Sequence, residues 1–147
     1  MGSILRFDHV GITVSDLAAS IAFFEQVGLV LDGPSASIEG RFIDAVTGID
    51  GASTEIVMMR TPDGGTAVEL SRFVRPQAVP GSQHAMANEL GLRSVAFEVE
   101  DLVGLVDRLG VAGFPLIGSI GEYERVWRMA YVRGPDGITV ALAEKIG

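Results

Sequence analysis

The sequence DHVGITVSDL at residues 8–17 decides the fold, because a related sequence, RSVAFEVEDL, follows at residues 93–102. At this constant offset of 85 residues, Asp16 coincides with Asp101 at the end of both segments. The residues that continue the match along the chain are Ile21 with Val106, Phe24 with Leu109, and Gly28 with Gly113. Such ordered self-similarity indicates an internal duplication.

A second landmark supports the duplication. The turn sequence Pro-Asp-Gly occurs at residues 62–64 and again at 135–137, an offset of 73 residues. The smaller offset means that the first copy carries about 12 additional residues before its turn. Because Pro presets the turn and Gly accepts a positive φ, each Pro-Asp-Gly predicts a hairpin between two strands.

Both copies have the same local pattern. Residues 7–14 and 93–99 alternate between apolar and polar side chains, which predicts a half-buried strand in each copy. A helix follows, with Ser15 as the predicted N-cap of the first and a start near Asp101 in the second. Three shorter strand-like runs complete each copy: residues 29–31, 54–60 and 67–73, then 114–120, 125–133 and 138–143. The predicted unit is therefore strand–helix–strand–strand–strand, twice.

Two segments lie outside this pattern. Residues 33–53 are the insertion of the first copy, and residues 41–46 within it predict a short helix. Residues 74–91 contain prolines and glycines that are typical of a linker, with a second short helix predicted near residues 85–90.

Composition excludes several classes of protein. The 147 residues are 48% hydrophobic and 20% charged, without cysteine, so disulfides, thiolate metal sites and cysteine nucleophiles are excluded. A net charge of −8 argues against nucleic-acid binding, which requires a basic face. No stretch approaches the roughly 20 apolar residues of a membrane-spanning helix. Without a recognisable signal peptide, we expect a cytoplasmic protein that binds neither nucleic acid nor membrane.

The two copies resemble the vicinal oxygen chelate superfamily, which includes glyoxalase I, methylmalonyl-CoA epimerase, extradiol dioxygenases and bleomycin-resistance proteins. The sequences that carry the resemblance are DHVGITVSDL, TPDGGTAVELSRF and GLRSVAFEVEDL. It implies an α+β fold in which two βαβββ modules form a curved, eight-stranded mixed sheet, a cup with the helices outside. It also implies a homodimer that binds a small molecule. The single domain would span residues 5–145, made of module one (5–73), a linker (74–91) and module two (92–145).

Metal-using members of that superfamily hold one divalent ion, such as Zn, Ni, Mn, Co or Fe, with ligands from the first and last strand of each module. The resemblance assigns the module-one positions to His9 and Glu69, and the module-two positions to Ser94 and Ala141. Module one therefore keeps both ligand types and module two keeps neither. Because divalent ions usually need three or more protein ligands, the implied metal site is degenerate and weak.

Replacement ligands and catalytic groups follow from strand parity. Glu98 shares a face with Ser94, whereas Glu144, three residues beyond Ala141, has the wrong parity unless a bulge intervenes. Glu69 interrupts an apolar run, so it needs a partner. Its candidate partners are His9, Arg72, Arg93 and a bound cation.

Two functions remain open at this point. His9 with Glu69 would act as a general base, with Glu98 as a further candidate catalytic residue, in a lyase or isomerase related to glyoxalase I or the epimerase. Alternatively, the protein would sequester a planar or cationic compound without metal, as bleomycin-resistance proteins do. Arg60 and Arg133, which precede the two turns, are interpreted as structural.

Overall fold

A computed structural model describes residues 2–147. Module one contains β1 (His9–Thr13), α1 (Leu17–Val27), β2 (Val30–Leu31), β3 (Ala36–Glu39), α2 (Arg41–Thr47), β4 (Ser53–Arg60) and β5 (Ala67–Arg75). Module two contains β6 (Ser94–Glu98), α3 (Leu102–Val111), β7 (Gly121–Tyr123), β8 (Trp127–Arg133), a 3₁₀ turn (Pro135–Gly137) and β9 (Thr139–Lys145). The chain divides into two compact units, one extending to Val79 and one over Pro80–Gly147, so each unit holds one module.

The two modules have the same strand order. In module one the order is β1-β5-β4-β2, and in module two it is β6-β9-β8-β7. The first and last strands of each module pair in parallel, while the strands joined by each Pro-Asp-Gly turn pair antiparallel, as the turn chemistry predicts. The α+β class and the two βαβββ modules are thus confirmed. The strands form two mixed sheets, and β3, which pairs with β4, brings the larger one to five.

Helices α1 and α3 each begin at an aspartate N-cap. Asp16 accepts a hydrogen bond from the Ala19 amide at 3.0 Å, and Asp101 accepts one from the Gly104 amide at 3.2 Å. The N-cap of α1 is therefore Asp16, and the prediction of Ser15 is wrong by one residue. Both residue types cap helices well, so the sequence alone does not choose between them. None of the helices within residues 2–147 is long and apolar enough to cross a membrane.

Each sheet buries one face under its helix. The most deeply buried side chains of module one include Phe23, Phe24, Met59 and Leu70, and those of module two include Leu102, Leu109, Val132, Val140 and Leu142. The duplicated positions Phe24 and Leu109 are both fully buried. The opposite face of each sheet, called the open face, carries His9 and Glu69 in module one and Glu98 in module two, all of them partly or largely exposed.

The connecting segments differ from the predictions in three places. The helix predicted at 41–46 is present as α2, but β3 in the same insertion was not predicted. Residues 85–90 form isolated turns rather than a helix, since the backbone hydrogen bonds there are single turn bonds such as that from the Glu89 amide to the Met86 carbonyl. The strand predicted at 114–120 is reduced to one bridge between Leu116 and Val132, since Pro115 has no amide to donate; the strand β7 follows it.

Candidate functional site

The register of β1 and β5 brings two predicted site residues together. Gly11 pairs with Glu69 and His9 pairs with Ala67, so His9 and Glu69 point to the same open face. Gly11 has no side chain, and a Cβ added there would lie 4.0 Å from Glu69 Oε1. The carboxylate of Glu69 therefore extends over Gly11 towards the imidazole.

His9 and Glu69 form a separated pair. His9 Nε2 lies 3.5 Å from Glu69 Oε2, and the two side chains are 34% and 27% exposed. This distance is long for a hydrogen bond, so both atoms stay accessible to a third group. The two arginines that were candidate partners of Glu69 form ion pairs with other carboxylates. Arg72 lies 3.7 Å from Glu55, and Arg93 lies 2.7 Å from Glu89.

A further carboxylate, which the sequence analysis did not identify, contacts the other nitrogen of His9. Asp8 Oδ2 lies 2.7 Å from His9 Nδ1. The hydrogen bond from His9 is the largest cause of a lowered pKa of Asp8, outweighing desolvation; the charges of His9, Arg6 and Arg60 lower that pKa further. The signal in the sequence was the adjacent pair Asp8-His9 at the entry to a strand, where the side chains of neighbouring residues are not yet held on opposite faces.

Module two places different residues at the equivalent positions. Ala96 pairs with Ala141 in the parallel register in which Gly11 pairs with Glu69, so Ala141 is the structural equivalent of Glu69. Tyr131 pairs with Ala141 on the other side. The imidazole and the carboxylate of module one thus correspond to a serine hydroxyl and a methyl group.

The two candidate replacement ligands face opposite ways. Glu98 pairs with Ala143 at the end of β6 and is exposed on the face that also carries Ser94. Glu144 accepts hydrogen bonds from the backbone amides of Asp101 and Leu102 at 3.0 and 3.2 Å, so it stabilises the start of α3. The pairing of β8 with β9 is continuous, without the bulge that would turn Glu144 to the open face.

The donor set does not fit a resident divalent ion. Within residues 2–147, no three His, Asp or Glu side chains are grouped so that they could hold one metal. His9 and Glu69 supply one nitrogen and one carboxylate, whereas the ions implied by the resemblance are usually held by three or more protein ligands.

The two arginines before the turns have a structural role. Arg60 donates to the Gly65 carbonyl at 3.1 Å, and Arg133 donates to the Gly137 carbonyl at 3.2 Å. Arg60 also pairs with Asp32 at 2.5 Å. Both guanidinium groups thus stabilise the hairpin turn that follows them in the chain.

Comparison with known proteins covers nearly the whole chain. The sequence model of the Glyoxalase/Bleomycin resistance protein/Dioxygenase superfamily matches residues 6–142. A glyoxalase family protein from Bacillus cereus has 42% sequence identity and a TM-score of 0.94, over 99% of this chain and 97% of that chain. No curated protein matches the sequence.

More distant structures share the fold. The trypanothione-dependent glyoxalase I of Leishmania major has a TM-score of 0.64 at 21% identity, over 95% of this chain and 86% of that chain. A glyoxalase/dioxygenase from Nostoc punctiforme has a TM-score of 0.65 at 20% identity, over 99% and 98% of the two chains.

Proposed function

The chain belongs to the Glyoxalase/Bleomycin resistance protein/Dioxygenase superfamily, and from this premise we propose that it is a small-molecule lyase or isomerase that moves a proton next to a carbonyl group. The observation that carries the proposal is the pair of His9 Nε2 and Glu69 Oε2, 3.5 Å apart on the open face of module one. An imidazole and a carboxylate at this separation are suited to general acid–base catalysis.

The two side chains would share the work of one proton transfer. With Asp8 accepting from Nδ1, a neutral His9 presents the lone pair of Nε2 towards the open face. Nε2 or Glu69 takes a proton from the carbon beside the carbonyl; the electron pair of the broken C–H bond forms a C=C bond, and negative charge develops on the carbonyl oxygen. The protonated pair then returns the proton to carbon, which completes an isomerisation or an epimerisation.

The substrates proposed for this chemistry are a small oxoacid, a thioester or a thiol adduct of an oxoaldehyde, each with an acidic C–H group beside a carbonyl. Members of the superfamily bind small molecules and commonly use a divalent metal. In this chain His9 and Glu69 would hold such an ion weakly, so the proposed step relies on the side chains themselves. Glu98, exposed on module two, is retained as a candidate catalytic residue.

A metal-free binding protein is the second candidate function. Its support is the open face of module two, where Tyr123 is 64%, Met129 is 41% and Tyr131 is 39% exposed. Aromatic and thioether side chains beside a free carboxylate, Glu98, suit a planar or cationic compound. In this case the protein would sequester its ligand unchanged.

Hydrogen exchange at substrate carbon distinguishes the two functions. In deuterium oxide, the proposed enzyme would exchange the C–H group beside the carbonyl of a thiol hemithioacetal or an acyl thioester, as followed by NMR. Exchange should fall about 10²–10⁴-fold in His9→Gln and Glu69→Gln. The matched control is Ser94→Ala, the module-two equivalent of His9, which should leave the rate unchanged. Substrate binding without exchange in the wild type would favour the sequestering function.

The oligomeric state and the location of the protein are further parts of the proposal. Superfamily members often form dimers, and we propose that this chain is a cytoplasmic homodimer. Light scattering coupled to size-exclusion chromatography should give twice the mass of 15.5 kDa. A monomer across the micromolar concentration range would contradict the dimer.

A further inference from the structure

We propose that Asp8 is a positioning residue that fixes the tautomer and the ring orientation of His9, an inference that rests on the proposed function of the His9–Glu69 pair. Asp8 Oδ2 is 2.7 Å from His9 Nδ1, which is a strong hydrogen-bond distance, whereas Nε2 is 3.5 Å from Glu69. The contact of Nδ1 with Asp8 determines the ring orientation. The longer distance between Nε2 and Glu69 leaves both atoms accessible to a substrate.

Backbone geometry explains how two neighbouring residues make this contact. His9 is the first residue of β1, and Asp8 precedes the strand. Within a strand, adjacent side chains point to opposite faces, so an Asp-His pair in mid-strand would be separated. At the strand entry, Asp8 turns back to the ring beside it.

The direction of the hydrogen bond follows from the chemistry of the two groups. Asp8 Oδ2 lies 2.7 Å from His9 Nδ1, and a carboxylate oxygen only accepts hydrogen bonds. Nδ1 of His9 must therefore carry the proton that is donated to Asp8. In the neutral ring, the lone pair is then on Nε2, the nitrogen that faces Glu69.

The equivalent position in module two supports a role tied to the imidazole. Residue 93, which corresponds to Asp8, is an arginine, and residue 94, which corresponds to His9, is a serine. Arg93 pairs with Glu89 at 2.7 Å in its own module. The acceptor is thus present in the module that has an imidazole to orient, and absent where no imidazole exists.

Without Asp8, the neutral ring would exchange between its two tautomers and rotate more freely. The fraction of molecules with a lone pair on Nε2 would fall, while the atoms that contact a substrate would remain. This predicts a loss in kcat with little change in KM. Removing a carboxylate that orients a metal-bound histidine typically costs 10–100-fold, and we expect a loss at the lower end of that range for this metal-free pair.

The test is ¹⁵N NMR of the histidine rings combined with exchange kinetics, on wild type, Asp8→Ala and Asp8→Glu. The chain has two histidines, so His84→Gln assigns the spectrum. In the neutral ring, wild type should show a protonated Nδ1 and an unprotonated Nε2. Asp8→Ala should show averaged tautomers and about a 10-fold lower kcat, and Asp8→Glu should restore part of both. Asp50→Asn, an exposed aspartate in a loop, is the matched control and should change neither.

The outcomes separate the two proposals. A tautomer that is the same in Asp8→Ala as in wild type overturns the positioning role. A tautomer that depends on Asp8, in a wild type that exchanges no substrate proton, overturns the proposed function and retains Asp8 as the residue that orients His9.

Discussion

The two modules of this chain share a scaffold and differ in chemistry. The parallel pairing of first and last strands, the aspartate N-caps and the arginine at each hairpin turn occur in both. At the open face the modules diverge, since His9 corresponds to a serine, and Glu69 to an alanine. Module one thus carries a candidate acid–base pair that module two lacks.

This difference shows which positions the fold constrains. The helix-facing positions are buried, so substitution there costs packing energy in either module. On the open face, His9 and Glu69 are partly exposed, so a module can lose these two side chains and keep its structure. Fold and chemistry are therefore separable within one chain, which agrees with the variety of functions that a shared fold supports.

The comparison is tested most strongly by giving module one the residues of module two. His9→Ser with Glu69→Ala should reduce the exchange of substrate protons about 10³-fold. Since the two groups are proposed to act as a unit, the double variant should be no slower than the slower single variant. The free energy of urea unfolding should change by less than about 1 kcal/mol, because both side chains are partly exposed. Losses that multiply fully would contradict a joint role.

The shared scaffold is tested by truncating equivalent core residues. Phe24 and Leu109 are both fully buried beneath their own sheets. Phe24→Ala and Leu109→Ala should each lower the free energy of unfolding by about 3 kcal/mol, through lost transfer energy and a residual cavity. Urea denaturation followed by circular dichroism measures both. A much smaller loss for one of them would show that the modules are not equally packed.

Much of this architecture was predictable because the chain is duplicated, so that the same strand, helix and turn patterns occur twice and support each other. The first strand, the helix and the Pro-Asp-Gly hairpin of each copy are present, and the hydrogen bonds of Glu144 to the start of α3 agree with its strand parity. The strand β3 was missed because it has only four residues, lies in the insertion of the first copy and is mostly exposed. The contact of Asp8 was missed because it depends on the path of the backbone before β1, which no periodicity encodes.

A glutamate that is tolerated at position 69 of module one should be destabilising at the equivalent position 141 of module two. Ala141 is 4% exposed between Ala96 and Tyr131, neither of which is a cation. Ala141→Glu should therefore lower the free energy of unfolding by about 2 kcal/mol, since a buried carboxylate without a partner is costly. Adding Ser94→His should recover part of this loss by supplying the kind of partner that Glu69 has. Urea denaturation of the single and double variants measures the coupling, and equal stability of both would contradict it.

The helix caps provide a smaller test of equivalence. Asp16→Ala and Asp101→Ala each remove one side-chain hydrogen bond to a backbone amide in the first turn. Each substitution should lower the free energy of unfolding by about 1 kcal/mol. Asp16→Asn and Asp101→Asn, which keep an acceptor oxygen, are the matched controls and should retain most of the stability. Thermal unfolding measures these differences, and an Asn variant as unstable as its Ala counterpart would contradict the capping role.

The smallest expected effect lies in the Pro-Asp-Gly turn of module one, where a threonine hydroxyl is present that module two lacks. The hydroxyl of Thr61 and the amide of Gly65 donate to Asp63, and they hold the pKa of Asp63 below its ordinary value of 3.8. Module two has Gly134 in place of Thr61. Because the folded pKa is lower than the unfolded one, the resulting stabilisation is complete above the ordinary pKa and disappears as the pH falls through the folded value. The amount by which the Tm of wild type exceeds that of Asp63→Asn should therefore decrease only at acidic pH, as Asp63 becomes protonated. In Thr61→Val the pKa of Asp63 should rise. The Tm difference between the Thr61→Val variant and the double variant Thr61→Val with Asp63→Asn should therefore begin to narrow at a higher pH. An advantage that is independent of pH would show that the hydroxyl of Thr61 does not stabilise the ionised carboxylate.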